Sequence, residues 1–426
     1  MRKILIYSAL ITATVTNISG QNAKCGTMNN FQFQSENDKN FLKAINSAEK
    51  KAQSFATKNK SANQNIIYIP VVFHCIYKSV NDATYLHDSI FDRQIQILNE
   101  TYSLSNNNFS NTRPIFDSIA TDTEIRFCLA GQDTLGNPTS GIVRHQSSQN
   151  WLTSVTNDAI KTAYPPWNPN KYLNVWTCDM SLFGIPIVLG YAAFPGGPLA
   201  KDGVVLQSQF VGYQNNGTEN NLGRTMVHEV GHWLGLRHIW GDGQNSSNPC
   251  DSTDYVDDTP HAADASQTDC DTTKNTCNFE NPYWAQLGID PPDMVENYMD
   301  YSKDGCMTMF TKGQKNRMWS FLNTYRSGLL NNPVSCNMVG LNENHSEPSG
   351  ITIFPNPSNN YIYLNFENKI AKVETVTIID LSGRAVLFFK SLNPKDPIDI
   401  SGLIPGIYSI KITSGPDNYI KMVIKQ

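Results

Sequence analysis

Hydrophobic and polar positions alternate differently in successive parts of this 426-residue chain. Residues 21–62 are polar, with one stretch around 40–55 that predicts a helix. Residues 66–74 are rich in branched and aromatic side chains and predict the first β-strand of a folded domain. Further elements are predicted as a helix at 89–104 and strands at 124–129, 172–177 and 204–210. This mixture indicates an α/β or α+β domain, which we expect to span 63–338.

The C-terminal part of the chain has a different pattern. Residues 339–350 are polar without periodicity and predict a linker. Beyond them, short apolar stretches alternate with turns rich in Pro, Gly, Asn and Ser, which predicts a separate small all-β sandwich over 351–426. Its predicted strands are 351–354, 361–366, 376–379, 385–389, 407–412 and 419–424.

The N-terminus has the pattern of an export signal. Met1-Arg2-Lys3 supplies positive charge, 4–15 is mostly apolar, and small residues follow before position 21. We expect residues 1–20 to be a signal peptide and 21–62 a removable pro-segment; a short buried helix is the alternative for the apolar run. Since no later segment approaches the roughly 18 apolar residues that a spanning helix needs, no transmembrane segment is expected in the mature protein.

Charge and cysteine content narrow the function classes. A net charge of −5 without a basic run argues against nucleic acid as a partner. Nine cysteines in an exported chain indicate disulfides, and the odd count leaves at least one thiol without an internal partner. The segment that looks stapled by two bridges contains Cys250, Cys270, Cys277 and Cys306. The cysteines whose pairing stays open are Cys75, Cys128, Cys178 and Cys336.

The chemistry is concentrated in the motif HEVGHWLGLRH, which matches HExxHxxGxxH. His228 and His232 are four residues apart, on one face of a helix, and His238 supplies a third imidazole. Three imidazoles that leave a fourth position open suit a catalytic Zn²⁺. Gly235, which lacks Cβ, allows the chain to turn so that His238 reaches the metal. Glu229 is placed to accept a proton from water activated by the metal.

Chance is the competing explanation for this motif. A lone HExxH occurs in many helices whose histidines face solvent. The longer pattern uses three of the eight histidines of the chain at fixed spacing, which favours the metal site.

A second motif makes the resemblance to a family specific. The histidine motif is followed by ENYMDYS and CMTMFTKGQKNRM, and together these closely resemble the pappalysin family of metzincin proteases. The resemblance covers about 66–336. It implies a secreted zinc endopeptidase, with a twisted, mostly parallel sheet, the motif helix above the cleft and irregular disulfide-bound structure below. It also implies that an edge strand at Gly190 to Phe194 pairs with an extended peptide substrate.

The resemblance also implies roles for single residues. Met299 would form the hydrophobic floor beneath the histidines, although one more core methionine is the alternative. Tyr301 would hydrogen-bond the tetrahedral intermediate, with a buried structural tyrosine as the alternative. Disulfides are implied between Cys250 and Cys277 and between Cys270 and Cys306.

A calcium site is implied near the acidic stretch DSTDYVDDTP. Its candidate oxygen ligands are Asp254, Asp257, Asp258 and Thr259. A solvated acidic loop capped by Thr-Pro is the alternative.

Two further residues bear on regulation and specificity. Cys25, in NAKCGT, resembles the pro-segment cysteine whose thiolate binds the zinc and keeps such enzymes latent; a free or intermolecularly paired thiol is the alternative. Family members that favour Arg after the scissile bond have an acidic residue where this chain has Gly305. An Arg preference is therefore in doubt, unless Asp304 substitutes.

The C-terminal module resembles the sorting domain of the type IX secretion pathway. The resemblance rests on FPNPSNN, on IIDLSGRAV and on ISGLIPGIYSIKI before the terminal KMVIKQ. It implies that the type IX machinery is a partner and that the protein is secreted or attached to the outer-membrane surface. A carbohydrate- or protein-binding sandwich is the alternative.

Two classes of function remain open from the sequence. The first is an active endopeptidase that cleaves proteins or peptides and is made as a latent zymogen. The second is a secreted binding or adhesion protein that keeps the metal without turnover. The presence of Glu229 together with all three histidines, Met299 and Tyr301 favours the enzyme. Nucleophilic catalysis by Ser or Cys is disfavoured because no such residue with a placed partner stands out.

Overall fold

The computed structural model describes eleven stretches of the chain, which form two compact units, Met1–Gly340 and Leu341–Gln426. The described residues are 25–58, 65–213, 221–243, 248–266, 270–278, 282–337, 351–366, 373–379, 385–393, 396–414 and 417–426. The expected signal peptide at 1–20 and the whole of the expected linker at 339–350 lie outside them.

A seven-stranded sheet forms the centre of the first unit. Its members are β1 Ile67–Tyr77, β2 Ile125–Ala130, β3 Ile142–Gln146, β4 Leu173–Cys178, β7 Gly190–Ala192, β8 Val204–Gln207 and β9 Cys336–Asn337, and a separate hairpin is formed by β5 Ser181–Leu182 and β6 Ile185–Pro186. The strand order is β7-β8-β4-β1-β2-β9, with β3 also paired to β1. The pairs among β1, β2, β3, β4 and β8 are parallel, whereas β7 and β9 are antiparallel edges. The expected mostly parallel sheet is confirmed.

The helices of the first unit pack around this sheet. They are α1 Thr27–Asn37, α2 Phe41–Lys58, α3 Asp88–Tyr102, α4 Pro114–Asp117, α5 Ser154–Asn157, α6 Ala159–Ala163, α7 Arg224–Trp233, α8 Pro282–Gln286 and α9 Lys312–Thr324. α3 and α7 share the main core with β1, where Phe73 packs on Phe91 with ring centroids 4.6 Å apart. The hydroxyl of Tyr102 on α3 donates to the carbonyl of Val227 on α7 at 3.2 Å, which joins the motif helix to α3.

The N-terminal segment contains two helices, whereas the sequence pattern predicts one. α2 agrees with the predicted helix at 40–55 and buries Ile45, Ala48 and Ala52. α1 is the addition: its residues are mostly polar, so it lacks the apolar periodicity that reveals a surface helix. It is held by polar contacts, such as that from Nδ2 of Asn30 to the carbonyl of Val155 at 3.1 Å, and by the packing of Phe31 on Phe194.

Three disulfides join distant parts of the first unit. Cys250–Cys277 and Cys270–Cys306 are both present, as the family resemblance implied. The third, Cys128–Cys336, connects β2 to β9 at the end of the unit across 208 residues. The three cysteines outside disulfides are Cys25, Cys75 and Cys178, all buried.

The second unit is all-β, as predicted. One sheet has the order β10-β11-β14 and the other β13-β12-β15-β16. The strands are β10 Ile351–Phe354, β11 Tyr361–Phe366, β12 Val373–Ile379, β13 Ala385–Leu392, β14 Ile398–Asp399, β15 Gly406–Ser414 and β16 Asp417–Lys425. Side chains of both sheets share one core, for example Ile362, Val376 and Ile410. β14 was not predicted because two residues carry no alternation. In the part of the chain that the structure describes, no helix has the length and apolar content to span a membrane.

Candidate metal centre

The three histidines of the motif converge on one point. His228 and His232 lie one turn apart on α7, and their Nε2 atoms are 3.1 Å apart. After the helix ends, Gly235 has φ +98°, and the amide of Leu236 donates to the carbonyl of Gly231. This left-handed turn reverses the chain and brings Nε2 of His238 to 3.2 Å from His228 and 3.1 Å from His232.

Each imidazole is oriented by an acceptor on its other nitrogen. Nδ1 of His228 donates to the carbonyl of Tyr298 at 2.8 Å, and Nδ1 of His232 donates to the carbonyl of Leu236 at 2.9 Å. Nδ1 of His238 contacts the carboxylate of Asp242. Protons on the three Nδ1 atoms leave the Nε2 lone pairs directed at a common centre.

This geometry fits a tetrahedral zinc ion. Zn–N bonds of about 2.0–2.1 Å in a tetrahedron place neighbouring nitrogens about 3.3–3.4 Å apart, close to the 3.1–3.2 Å between the Nε2 atoms. Three lone pairs this close repel one another unless a cation lies between them. The histidines are also buried, so neutral imidazoles are favoured: burial depresses the pKa of His232 well below its ordinary value, and the neighbouring histidines add to the effect.

Cys25 completes this cluster from the N-terminal segment. Its Sγ and the three histidine nitrogens all lie within 4.8 Å of one another. Among the described residues, no other group of three or more His, Cys, Asp or Glu side chains gathers in this way. A thiolate at this position would occupy the fourth corner of the tetrahedron.

Glu229 lies beside the cluster and is fully buried. Its Oε2 accepts a hydrogen bond from the hydroxyl of Thr27 at 2.9 Å, and the thiol of Cys25 lies 3.5 Å away. Its Oε1 is buried with no hydrogen-bond partner in the described part of the chain. Burial raises the pKa of Glu229 to about 8, although the hydrogen bonds from Cys25 and Thr27 act in the opposite direction. The positive charge of a bound metal ion would also lower this pKa.

Two residues of the second motif pack against the histidines. Met299 is fully buried below α7, where its thioether meets Gly231 so closely that a Cβ there would clash. The ring of Tyr301 lies 5.7 Å from that of His228 and 5.0 Å from that of His238, and its hydroxyl donates to the carbonyl of Cys25 at 3.5 Å. The structure therefore places Met299 against α7 and Tyr301 beside two of the three histidines.

The predicted edge strand also lies at the site. β7 is the end strand of the sheet, and its free side is bridged by the N-terminal segment, with the amide of Gly26 donating to the carbonyl of Gly190 at 2.8 Å. A Cβ at position 190 would meet Cγ of Glu229 at 2.9 Å. Glycine is needed there because the strand passes so close to the carboxylate.

The acidic stretch predicted to bind calcium is placed away from this cluster. The carboxylate of Asp254 accepts from the hydroxyl of Thr259 at 2.8 Å and the amide of Val256 at 3.0 Å. The carboxylate of Asp258 accepts from the hydroxyl of Thr311 at 2.6 Å and the amide of Gly313 at 2.8 Å, at the start of α9. Asp257 is exposed. Burial raises the pKa of Asp254 to about 8.

Asp304, the acid next to Gly305, contributes to the start of α7. Its Oδ2 accepts from the amides of Leu222 at 2.8 Å and Arg224 at 3.2 Å. The guanidinium of Arg224 donates in turn to the carbonyl of Asp304 at 2.5 Å. A small cavity beside His228 and Glu229 is lined by Asp304 and Arg224 together with Leu189 and Met307. Asp300 also lines this cavity, and Oδ2 of Asp304 is engaged with backbone amides.

Sequence reasoning missed three contacts of the site. Asp242 orients His238, and Trp240 stacks on the same ring with centroids 4.3 Å apart. Thr27 bonds both Glu229 and the amide of Ala192. An acid four residues after a histidine ligand is a detectable signal for Asp242. Trp240 and Thr27 carry no comparable local signal.

The chain is similar to known proteins over both of its units. Residues 154–323 match the model of the family described as pregnancy-associated plasma protein-A, a peptidase family, and residues 352–426 match that of the secretion system C-terminal sorting domain. An extracellular metalloprotease of Pyricularia oryzae is 32% identical over 282 residues, 65% of this chain and 82% of the relative. One from Sordaria macrospora is also 32% identical, over 66% and 83%.

Solved structures agree in fold. A promirolysin mutant from Tannerella forsythia is 32% identical with a TM-score of 0.61, covering 72% of this chain and 97% of its own. Mature mirolysin of the same organism, in complex with a cleaved peptide, is 34% identical with a TM-score of 0.54, covering 63% and 96%. This chain belongs to the pappalysin family of metalloproteases and carries a C-terminal secretion sorting domain.

Proposed function

We propose that the chain is a secreted zinc endopeptidase whose base is Glu229 and which is made as a latent zymogen. The convergence of three Nε2 atoms beside a buried carboxylate with one unpartnered oxygen carries the proposal. A zinc ion held by His228, His232 and His238 would supply Lewis acidity, which makes water a stronger nucleophile and polarises a peptide carbonyl.

The residues of the chain would perform the proton transfers. Glu229 accepts the proton of the attacking water and passes it to the leaving amine, a role that suits a carboxylate whose carbon chain is held against β7. The phenol of Tyr301 donates to the oxyanion of the tetrahedral intermediate. β7 binds the peptide backbone in extended form along the edge now bridged by Gly26.

Latency would come from the segment 21–62. Cys25 supplies the fourth ligand, and the hydroxyl of Thr27 donates a hydrogen bond to Oε2 of Glu229. Removal of the segment frees the metal, the base and the edge strand together. The C-terminal module would then serve export by the type IX machinery, with the product either released or attached to the outer-membrane surface.

The preference for Arg after the scissile bond is not part of this proposal. Gly305 brings no charge, Asp304 is bonded to the amides that start α7, and Arg224 places a positive charge beside the cavity next to Glu229.

Calcium at Asp254 to Thr259 remains a prediction; Asp254 and Asp258 satisfy local donors in this structure, and calcium titration followed by thermal unfolding would test it.

A peptide library tests the proposal. The full-length protein is first treated by limited proteolysis to remove residues 21–62. It is then incubated with a diverse peptide library, with and without a zinc chelator, and the Glu229→Ala variant is treated in the same way. We expect both the chelator and the substitution to abolish cleavage while Glu229→Ala keeps its zinc. Folded, zinc-loaded wild-type protein that cuts nothing would establish the binding-protein alternative instead.

A further inference from the structure

Two arginine side chains lie beneath the N-terminal segment at one end of the cleft. Arg317 on α9 donates from both terminal nitrogens to the carboxylate of Glu49 on α2, at 2.7 and 2.8 Å. Arg237 lies in the loop between Gly235 and His238, with its guanidinium carbon 3.9 Å from the centre of the Phe194 ring. Arg237 is 8% exposed, and its Nη1 is buried without a hydrogen-bond partner among the described residues.

This end of the cleft is next to the metal site. The ring of Phe194 lies 5.4 Å from that of His232, and Nε of Arg317 donates to the carbonyl of Gly235 at 2.9 Å. Phe194, Arg237 and Arg317 are here called the arginine subsite. Phe194 follows the end of β7 by two residues, so a peptide that extends along β7 from Gly190 is directed towards the subsite.

The N-terminal segment already follows this line. Cys25 bridges Gly190, the hydroxyl of Thr27 accepts from the amide of Ala192, and α2 then passes Gly196 so closely that a Cβ there would lie 3.0 Å from the carbonyl of Ala44. Gly196 has φ +108°. The segment therefore places Glu49 over the arginine subsite after crossing the metal.

Removal of the segment changes the charge at this place. Phe31, whose ring lies 5.2 Å from the guanidinium of Arg237, leaves together with Glu49. Arg317 then loses both hydrogen bonds to the carboxylate of Glu49, while Nη1 of Arg237 still lacks an acceptor among the described residues. The negative charge of Asp242 acts on Arg237 as well, but its Oδ1 contacts Nδ1 of His238 and its Oδ2 makes no hydrogen bond to the described residues. A planar guanidinium at the edge of a cleft binds a carboxylate in preference to a neutral group.

We propose that in the mature enzyme the arginine subsite binds an acidic side chain of the substrate, in the place that Glu49 occupies in the latent form. This inference rests on the proposed endopeptidase function and adds a substrate class to it. Gly190 and Phe194 are four residues apart, roughly 13 Å along an extended strand. The acidic residue therefore lies about three or four positions from the scissile bond.

Matched peptide pairs test this inference. The activated, zinc-loaded full chain cleaves peptides that carry Asp or Glu at one position, and the same peptides with Asn or Gln there, for each position up to five residues from the cut. We expect kcat/KM to be about tenfold or more higher for the acid at one position, three or four residues from the bond, because a charge-assisted bond replaces a neutral one.

Substitutions assign that preference to the subsite. Arg237→Gln should bring the acid-to-amide ratio close to one, and Arg237→Glu should favour Lys at the same position. Arg317→Lys keeps the charge and should retain part of the preference. Lys315→Gln is the control: it removes a positive charge from α9, the helix that carries Arg317, at a position where Lys315 pairs with Glu124 at 2.9 Å. This substitution should leave the acid-to-amide ratio unchanged.

The outcomes separate this inference from the function on which it rests. An enzyme that cuts acidic and amide peptides equally well overturns the inference and leaves the endopeptidase standing. A preference that persists in Arg237→Gln also overturns it. Loss of all cleavage in the wild type removes both.

Discussion

The hydroxyl of Thr27 donates to Oε2 of Glu229 at 2.9 Å and accepts the amide of Ala192 at the same distance. Two positions earlier, Cys25 lies within 4.8 Å of all three ligand nitrogens. One short stretch of the N-terminal segment thus contacts the histidine cluster, Glu229 and the edge strand β7. Latency should depend on all three contacts, with the thiol as the one that reaches the metal.

Cys25→Ala should weaken latency. Without the thiolate, the fourth position of the zinc is open to water while α1 and α2 keep their contacts. We expect the zinc-loaded full chain to cleave a reporter peptide at least about tenfold faster than wild type before the segment is removed. Cys178→Ala, which removes a buried thiol at the end of β4, is the control. A Cys25→Ala chain as latent as wild type would favour a free or intermolecularly paired thiol.

Tyr301→Phe should reduce turnover more than substrate binding. The substitution keeps the ring that packs beside His228 and His238 and removes only the hydroxyl. Loss of one oxyanion donor lowers kcat by about 100- to 1,000-fold, so kcat should fall this far with KM changed little. Tyr77→Phe, whose ring packs on Tyr85 instead, is the matched control. Unchanged kcat would make Tyr301 a structural residue.

The metal site could be predicted from the sequence because its determinants are local. Four-residue spacing puts His228 and His232 on one helical face, and a glycine three residues after His232 permits the turn that returns His238. The main strands could also be predicted from local sequence. Ile67–Tyr77, for example, is buried along most of its length, and a buried strand appears in the sequence as a run of apolar residues.

What could not be predicted depends on contacts distant in sequence. α1 has no apolar periodicity and is positioned by Asn30 and by the packing of Phe31 on Phe194. Cys128 lies within a buried strand, where a free thiol is equally ordinary, so nothing near it indicates Cys336 as its partner. The pairs around Cys250 to Cys306 came only from the family resemblance, because four cysteines allow three pairings.

Loss of the Cys128–Cys336 disulfide should destabilise the first unit. The bridge joins residues separated by 208 positions, so it restricts the unfolded chain strongly. We expect the double variant Cys128→Ala and Cys336→Ala to lose about 2–5 kcal/mol of unfolding free energy, measured by urea denaturation under oxidising conditions. Cys75→Ala, at a buried cysteine outside any disulfide, controls for the loss of core volume. Equal effects would show that the bridge adds nothing beyond packing.

Acidification should loosen α2 from the rest of the first unit. Burial alone would raise the pKa of Glu49, but the hydrogen bonds and charge of Arg317 outweigh it and hold this pKa below its ordinary value of 4.5. A lowered pKa means that the ion pair stabilises docking fully above the ordinary value and that this stabilisation is lost as the pH falls through the lowered one. We expect hydrogen exchange of α2, corrected for intrinsic rates, to rise below about pH 4.5.

Glu49→Gln separates this ion pair from other titrating groups. At pH 7 the substitution should raise exchange of α2 about tenfold, since it removes charge-assisted bonds, and it should flatten the acid dependence. Glu36→Gln on α1, where the carboxylate only accepts from Gln32 at the surface, should behave as wild type. If Glu49→Gln keeps the full acid dependence, other carboxyl groups control docking and the pair with Arg317 contributes little. If the dependence disappears, the carboxylate that holds the segment in place is also its acid-sensitive contact.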